Sequence, residues 1–278
     1  MIENKRGARM RGGVPGSGAY TMAAPKGGNH VRGMSIANKR TADTRLSRDT
    51  EIEAPDAAPS ENPPQDGREH SPNVRWQRTA LTRSQRWESL GQAGATIWFT
   101  GLPAAGKSTI AAALEERLVT SGRPAFMLDG DNLRHGLNGD LGFNEAARSE
   151  NVRRTAHVAR LLAESGTLAI VSLVSPYAQD REAAASLHAD ADLPFLEIFV
   201  DAPLRLCEQR DPKGLYARAR AGKLAGLTGV DAPYETPLKP DLTLHSGEES
   251  VESAVERVVQ ALAERVPRPV GRGSSSAY

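Results

Sequence analysis

An α/β fold, a parallel sheet covered by helices on both faces, follows from three features of this 278-residue sequence. From residue 95 onward, short apolar runs alternate with longer segments of helical composition. A glycine-rich turn joins the first of these runs to the first helical segment. Nearly all the aliphatic runs fall after Trp76, so one domain carries the core.

The elements can be taken in order. Residues 95–100 (ATIWFT) read as the first strand, and 109–121 as a helix stopped by Gly122. Residues 124–128 form a second strand that ends in Asp129-Gly130-Asp131. A helix over 151–164 places Val152, Val158, Leu161 and Leu162 at its apolar positions and stops near Gly166. The β-branched run 167–174, then 195–200 and 241–245, read as further strands. Val251, Val255, Val258, Val259, Leu262 and Val266 form one stripe on a closing helix. The domain therefore spans 95–266, after a lead-in segment at 75–94.

Residues 1–74 are rich in Gly, Pro, Ser and charge, basic first and then acidic, and read as a disordered tail. The same holds for 267–278. The longer tail is a solvated extension or an over-long start, since Met10, Met22 and Met34 are alternative initiators; a docking arm and an organellar address are the other readings.

A net charge of +1 is too balanced for a dedicated nucleic-acid binder. The single cysteine, Cys207, excludes an internal disulfide and reads as a small buried hydrophobe. No apolar stretch reaches the roughly 18–20 residues that span a bilayer. No apolar run follows the basic N-terminus, as a secretory signal requires. A cytoplasmic protein with no membrane association is expected.

Residues 101–108 read Gly101-Leu102-Pro103-Ala104-Ala105-Gly106-Lys107-Ser108, which matches G-x-x-x-x-G-K-[ST] between a strand and a helix. Backbone N–H groups of such a loop and the helix N-terminus hold phosphate oxygens. Lys107 neutralises charge on the terminal phosphates, and Ser108 ligates Mg²⁺. A nucleoside triphosphate and Mg²⁺ are thereby implied, in a P-loop architecture shared by kinases, GTPases and motor ATPases. The loop alone leaves the phosphate acceptor open.

Asp129 and Asp131 stand at a strand end, where an open parallel sheet faces its ligand crevice. They suit acceptance of a hydroxyl proton or a water-mediated hold on Mg²⁺, and equally an Asx turn capping the next helix. Arg134, Arg148, Arg153 and Arg154 gather near Asn151 and imply an anionic acceptor.

The strings GATIWFTGL, LDGDNLRHGLNGDLGF, RSENVRR, SLVSPY and RDPKGLYARARAGKLAGLTGVDAPYE, continuous in order and spacing, resemble the adenylylsulfate kinase family over residues 92–265. The resemblance implies phosphorylation of the ribose 3′-hydroxyl of adenosine 5′-phosphosulfate in sulfate assimilation. It places ATP on Gly101 through Thr109 and on Arg210. It makes Lys107, Asp131 and Asp129 the catalytic set, with Mg²⁺ on Ser108 and, through water, on Asp131. The acceptor would be held by Arg134, Arg148, Asn151, Ser175, Pro176, Lys213 and Gly214, its adenine stacked on Phe143. Ser175 is also the family's candidate phosphoserine, although direct in-line transfer needs no covalent relay. Residues from Arg210 onward would form a mobile lid. A homodimer and an ATP-sulfurylase partner are implied in the same way.

Three positions depart from the family pattern. Leu227 stands where a phenylalanine would sandwich the adenine against Phe143, Ala178 where an arginine is common, and Pro103-Ala104-Ala105 where a glycine is usual. Arg181, three residues after Ala178, offers a substitute anion contact on the same helix face. Two other readings stay open at this point: a kinase for a different small anion, and a non-catalytic nucleotide-binding subunit.

Overall fold

The computed structural model describes Asn73, Gln77 and residues 79–266; the tails expected at 1–74 and 267–278 lie, Asn73 apart, outside them. Strands β1 Ala95–Thr100, β2 Ala125–Asp129, β3 Leu168–Ser172, β4 Phe195–Asp201 and β5 Leu242–His245 form one sheet in the order β2-β3-β1-β4-β5. Every strand pair in it is parallel. The helices are α1 Arg83–Leu90, α2 Lys107–Thr120, α3 Gly130–Leu133, α4 Glu145–Ser165, α5 Ala178–Ala189, α6 Leu204–Arg210, α7 Leu215–Arg220 and α8 Val251–Arg265.

β1 runs through the centre and is buried along its whole length. Its alternate side chains serve two cores. Ile97 and Phe99 pack with Leu114 and Leu118 of α2 and Val258 and Leu262 of α8. Trp98 points the other way, with Val152 and Ala156 of α4 and Ala184 of α5. Each fully buried aliphatic side chain there contributes about 1.5–3 kcal/mol. A strand sandwiched this way needs no polar alternation, which is why ATIWFT reads as one apolar run.

From β1 the chain passes to β2 at the far edge and returns through β3, so β1 is flanked by β3 and β4. The direction of strand order reverses at β1, and a ligand crevice opens beyond the strand C-termini at such a reversal. The phosphate loop follows β1 directly.

Most boundaries fall within two residues of expectation, and two elements differ more. α4 begins at Glu145 rather than near 151, capped by the Asn144 side chain, which accepts a hydrogen bond from the Ala147 N–H (2.8 Å). Its first two turns are polar and carry Arg148 and Asn151 toward the crevice, so apolar periodicity begins only at Val152. The lead-in segment holds a helix, α1, started by a capping box between Thr82 and Gln85. Trp87 of α1 donates its indole N–H to the Ala163 carbonyl (3.1 Å), seating the lead-in on the end of α4. Cys207 is buried in α6, as expected. No helix among the described residues is long and apolar enough to cross a membrane.

Candidate active site

The phosphate loop is shaped by its glycines. Gly101 has φ 148°, and a Cβ there would lie 2.5 Å from the Val200 carbonyl oxygen. Gly106 caps α2 with φ 108°. Ala104 also sits in the left-handed region, at φ 58°, without a glycine's freedom.

Lys107 is buried, and its ammonium donates to the carbonyls of Gly101 (2.9 Å) and Leu102 (2.7 Å). Burial lowers its pKa to about 8, an effect that the neighbouring Asp129 carboxylate partly offsets. The Ser108 hydroxyl donates to Asp129 Oδ2 (2.7 Å), and Ser172 Oγ lies 3.2 Å away. The second Asp129 oxygen accepts from the Asp131 N–H (2.9 Å), capping α3. The two aspartates therefore stand differently. Asp129 is buried beneath the loop, whereas the Asp131 carboxylate is exposed and ion-paired with Lys213.

Two cavities meet at this loop. One, of about 610 Å³, lies between the loop, Arg210, Ser246 and the start of α8. Arg210 donates to the Ala105 carbonyl (3.1 Å) and to Ser246 Oγ (3.0 Å) and O (2.6 Å), bracing the loop from outside. The other, of about 230 Å³, lies on the far side of Lys107, walled by Arg134, Phe143, Arg148, Asn151, Pro176 and Leu227. Ala104, Lys107, Ser108, Asp131, Pro212 and Lys213 line both.

In the smaller cavity the Arg134 guanidinium lies 4.1 Å over the exposed Phe143 ring and donates to the carbonyls of Leu141 (3.0 Å) and Gly142 (3.1 Å). Arg148 donates to the Phe143 carbonyl (2.7 Å), to Thr228 Oγ1 (2.8 Å) and to the Gly226 carbonyl (2.5 Å). It thus fastens the segment after α7 to α4. The Asp231 carboxylate accepts from the N–H groups of Gly226 (2.6 Å) and Leu227 (2.7 Å), which lowers its pKa. Leu227 is held nearly buried in the wall. The Tyr216 hydroxyl donates to the Pro103 carbonyl (3.0 Å), fixing α7 to the phosphate loop.

Ser175 has φ 38° and is 3% exposed. Its Oγ accepts from the Trp98 indole N–H (3.1 Å) and donates to Thr100 Oγ1 (3.0 Å). Arg181 does not replace the arginine missing at 178. It is 3% exposed, and its guanidinium donates to Glu197 Oε1 and to the carbonyls of Ser175 and Glu235, each at 2.7 Å. It braces the Ser175 turn from behind and does not line the smaller cavity.

Of the residues expected from sequence, Thr109 and Arg210 line the larger cavity, Ser175 and Pro176 the smaller, and Lys213 both. Gly101, Leu102, Ala105 and Gly214 line neither. The first three offer carbonyls to Lys107 and Arg210, and Gly214 opens α7 at φ 63°. Ser172, Thr228, Asp231, Tyr216 and Ser246 were missed. Ser172 and Ser246 lie at or just beyond strand C-termini, a signal that could have found them. The other three act through contacts no spacing reveals.

A family model for adenylylsulphate kinase matches residues 93–245. The chain is 49% identical over 199 residues to the adenylyl-sulfate kinase of Penicillium chrysogenum, covering 69% of this chain and 94% of that protein. It is 46% identical over 194 residues to that of Aeromonas hydrophila, covering 70% and 98%. Among solved structures, that of the Mycobacterium tuberculosis APS kinase CysC in complex with AMPPNP and APS is similar: 51% identity, TM-score 0.60, 62% of this chain and 98% of that one. With the model matching more than half of the sequence and these relatives spanned almost end to end, the chain belongs to the adenylylsulphate kinase family.

Proposed function

We propose that the chain transfers the γ-phosphoryl group of ATP to the 3′-hydroxyl of adenosine 5′-phosphosulfate, giving ADP and 3′-phosphoadenylylsulfate for sulfate assimilation. The observation that carries this reading is the pair of cavities meeting at Lys107, Ser108 and Asp131, with the phosphate loop between them. A donor in one and an acceptor in the other would bring the reacting atoms together at the loop.

The roles then follow from position. The loop amides and Lys107 hold the phosphates and stabilise charge on the migrating group. Arg210 and Ser246 border the space for the nucleotide base. Arg134, Arg148 and Asn151 face the anionic acceptor, and Phe143 and Leu227 enclose its adenine. Asp131 takes the 3′-hydroxyl proton as the new O–P bond forms, once Lys213 has moved to an incoming anionic ligand. Ser108 Oγ and the Asp129 carboxylate offer hard oxygen donors, a set that fits Mg²⁺ with phosphate oxygens and water completing it. When bound, that ion neutralises phosphate charge.

Direct transfer is favoured over a phosphoserine relay, because the Ser175 hydroxyl is buried and bound on both sides, by Trp98 and Thr100. The segment 210–235 acts as the lid that excludes water. We further propose a single catalytic domain at 95–266 with its lead-in at 75–94, working in the cytoplasm as a homodimer and supplied by an ATP sulfurylase.

Purified protein with ATP, Mg²⁺ and adenosine 5′-phosphosulfate should yield the 3′-phosphorylated product, and no product from folded protein overturns the reading. Deleting residues 1–74 should leave turnover intact. Light scattering of the eluted protein tests the dimer.

A further inference from the structure

We infer that Asn138 is a positioning residue for the acceptor: it locks the Asn151 carboxamide so that the Asn151 N–H₂ donates into the acceptor cavity. This rests on the acceptor-site reading above.

Asn138 lies in the loop between α3 and α4 and is 0% exposed. Its Nδ2 donates to Asn151 Oδ1 (2.8 Å). Asn151, on the first turns of α4, is 7% exposed and lines the acceptor-side cavity. An amide has one oxygen and one N–H₂ group. With its oxygen turned to Asn138, Asn151 has its donor end left to face the cavity. An anionic acceptor needs donors, and a carboxamide turned the other way would present an oxygen to it.

The second observation is a cost. Asn138 Oδ1 is buried and has no hydrogen-bond partner. An orphaned buried oxygen is destabilising, and an apolar residue of similar shape would avoid it. Asn138 is therefore ill-suited as a purely structural residue, while its donor fixes the one cavity amide. The opposite assignment would orphan the Asn138 N–H₂ instead, a rarer state than an unsatisfied oxygen. The loop is stapled to α4 independently, by Arg154 donating to the Leu137 carbonyl (3.0 Å) and pairing with Asp140 (2.7 Å). Loss of the Asn138 donor thus need not release the loop.

The test uses the full chain and steady-state kinetics for both substrates. Asn138→Leu keeps bulk, removes the orphaned oxygen and cannot donate. It should raise the KM for adenosine 5′-phosphosulfate about tenfold, with ATP KM within about twofold and melting temperature unchanged or higher. Asn138→Ala, the second variant should the leucine not fold, should shift the acceptor KM in the same direction. In an Asn151→Ala background, either change should add nothing to the acceptor KM. An acceptor KM that stays at the native value, that rises only in step with lost thermal stability, or that rises equally in the Asn151→Ala background overturns the proposal. If Asn151→Ala alone leaves the acceptor KM unchanged, the acceptor-site reading itself fails.

Discussion

The larger cavity, proposed for the donor, forms around one contiguous octapeptide at the end of β1, which Arg210 and Ser246 brace, and is completed by the turn after β2 and the start of α8. The smaller cavity, proposed for the acceptor, draws its walls from six segments: the phosphate loop, the turn after β2, the start of α4 with Phe143 before it, the end of β3 with the turn after it, residues 211–216 and the stretch around Leu227. On the donor side, the loop closes on itself through Lys107 and two carbonyls within the motif. On the acceptor side, closure depends on hydrogen bonds between residues far apart in sequence, such as Arg148 with Gly226 and Thr228. In the proposed reading, phosphate binding is thus a local property of the chain, and acceptor selection a property of the assembled fold. Substitutions should separate the two.

The largest effect belongs to Lys107, one of the residues both cavities share. Lys107→Met should lower kcat by about a thousandfold, because the only ammonium within the loop is lost from the charge developing on the phosphoryl group. The fold should persist. Burial already disfavours that charge and lowers the lysine's pKa to about 8. Kinetics beside a thermal melt check this, and activity within tenfold of the native protein breaks the assignment.

Arg148→Ala is next and tests whether the sides are separable. Removing its three links frees the Gly226–Thr228 stretch and the Phe143 backbone. The acceptor KM should rise roughly ten- to a hundredfold, as loss of preorganisation does, with ATP KM within about threefold. Faster hydrogen exchange in residues 224–231 should accompany it. Equal shifts for both substrates would mean the cavities are one mechanical unit.

What the sequence made legible follows the same division. The strand, loop and helix at 95–120 were readable because each signal is local: a buried run, two glycines and a lysine at fixed spacing. The start of α4 was not, since Glu145–Glu150 face the crevice and solvent and carry no apolar period. The placing of Arg181 failed for a related reason. Helix geometry puts residues 178 and 181 on one face, but the half-buried Glu197 and two carbonyls behind that helix hold the guanidinium away from the cavity. Nor could spacing show that Asp129, rather than Asp131, holds Ser108.

Leu227→Phe sharpens the comparison on the acceptor side alone. Phe143 and Leu227 line the same cavity, so a ring at 227 could stack on the bound adenine for about 0.5–1.5 kcal/mol. The acceptor KM should fall by up to about tenfold while the ATP KM stays put. Overpacking opposes this, since Leu227 is 7% exposed and packs against the core. The cavity face gives the ring somewhere to go, so the gain should win. An unchanged or raised acceptor KM would show that it does not.

The smallest effect is expected at Ala104, within the part of the donor loop that departs from the family pattern. Its φ of 58° costs a β-carbon about 1–2 kcal/mol, which glycine would not carry. Glycine also frees the unfolded chain, a loss of about 0.4–1 kcal/mol. The difference leaves Ala104→Gly stabilising by roughly 1 kcal/mol or less, a rise of a few degrees in Tm. Ala104 borders both cavities, but its methyl contributes neither a donor nor charge, so kcat and both KM values should hold within about twofold. A drop in kcat without loss of stability would mean that the strained alanine preorganises the loop amides. In that case the donor side depends on stiffness as well as on its motif, and the contrast with the acceptor side narrows.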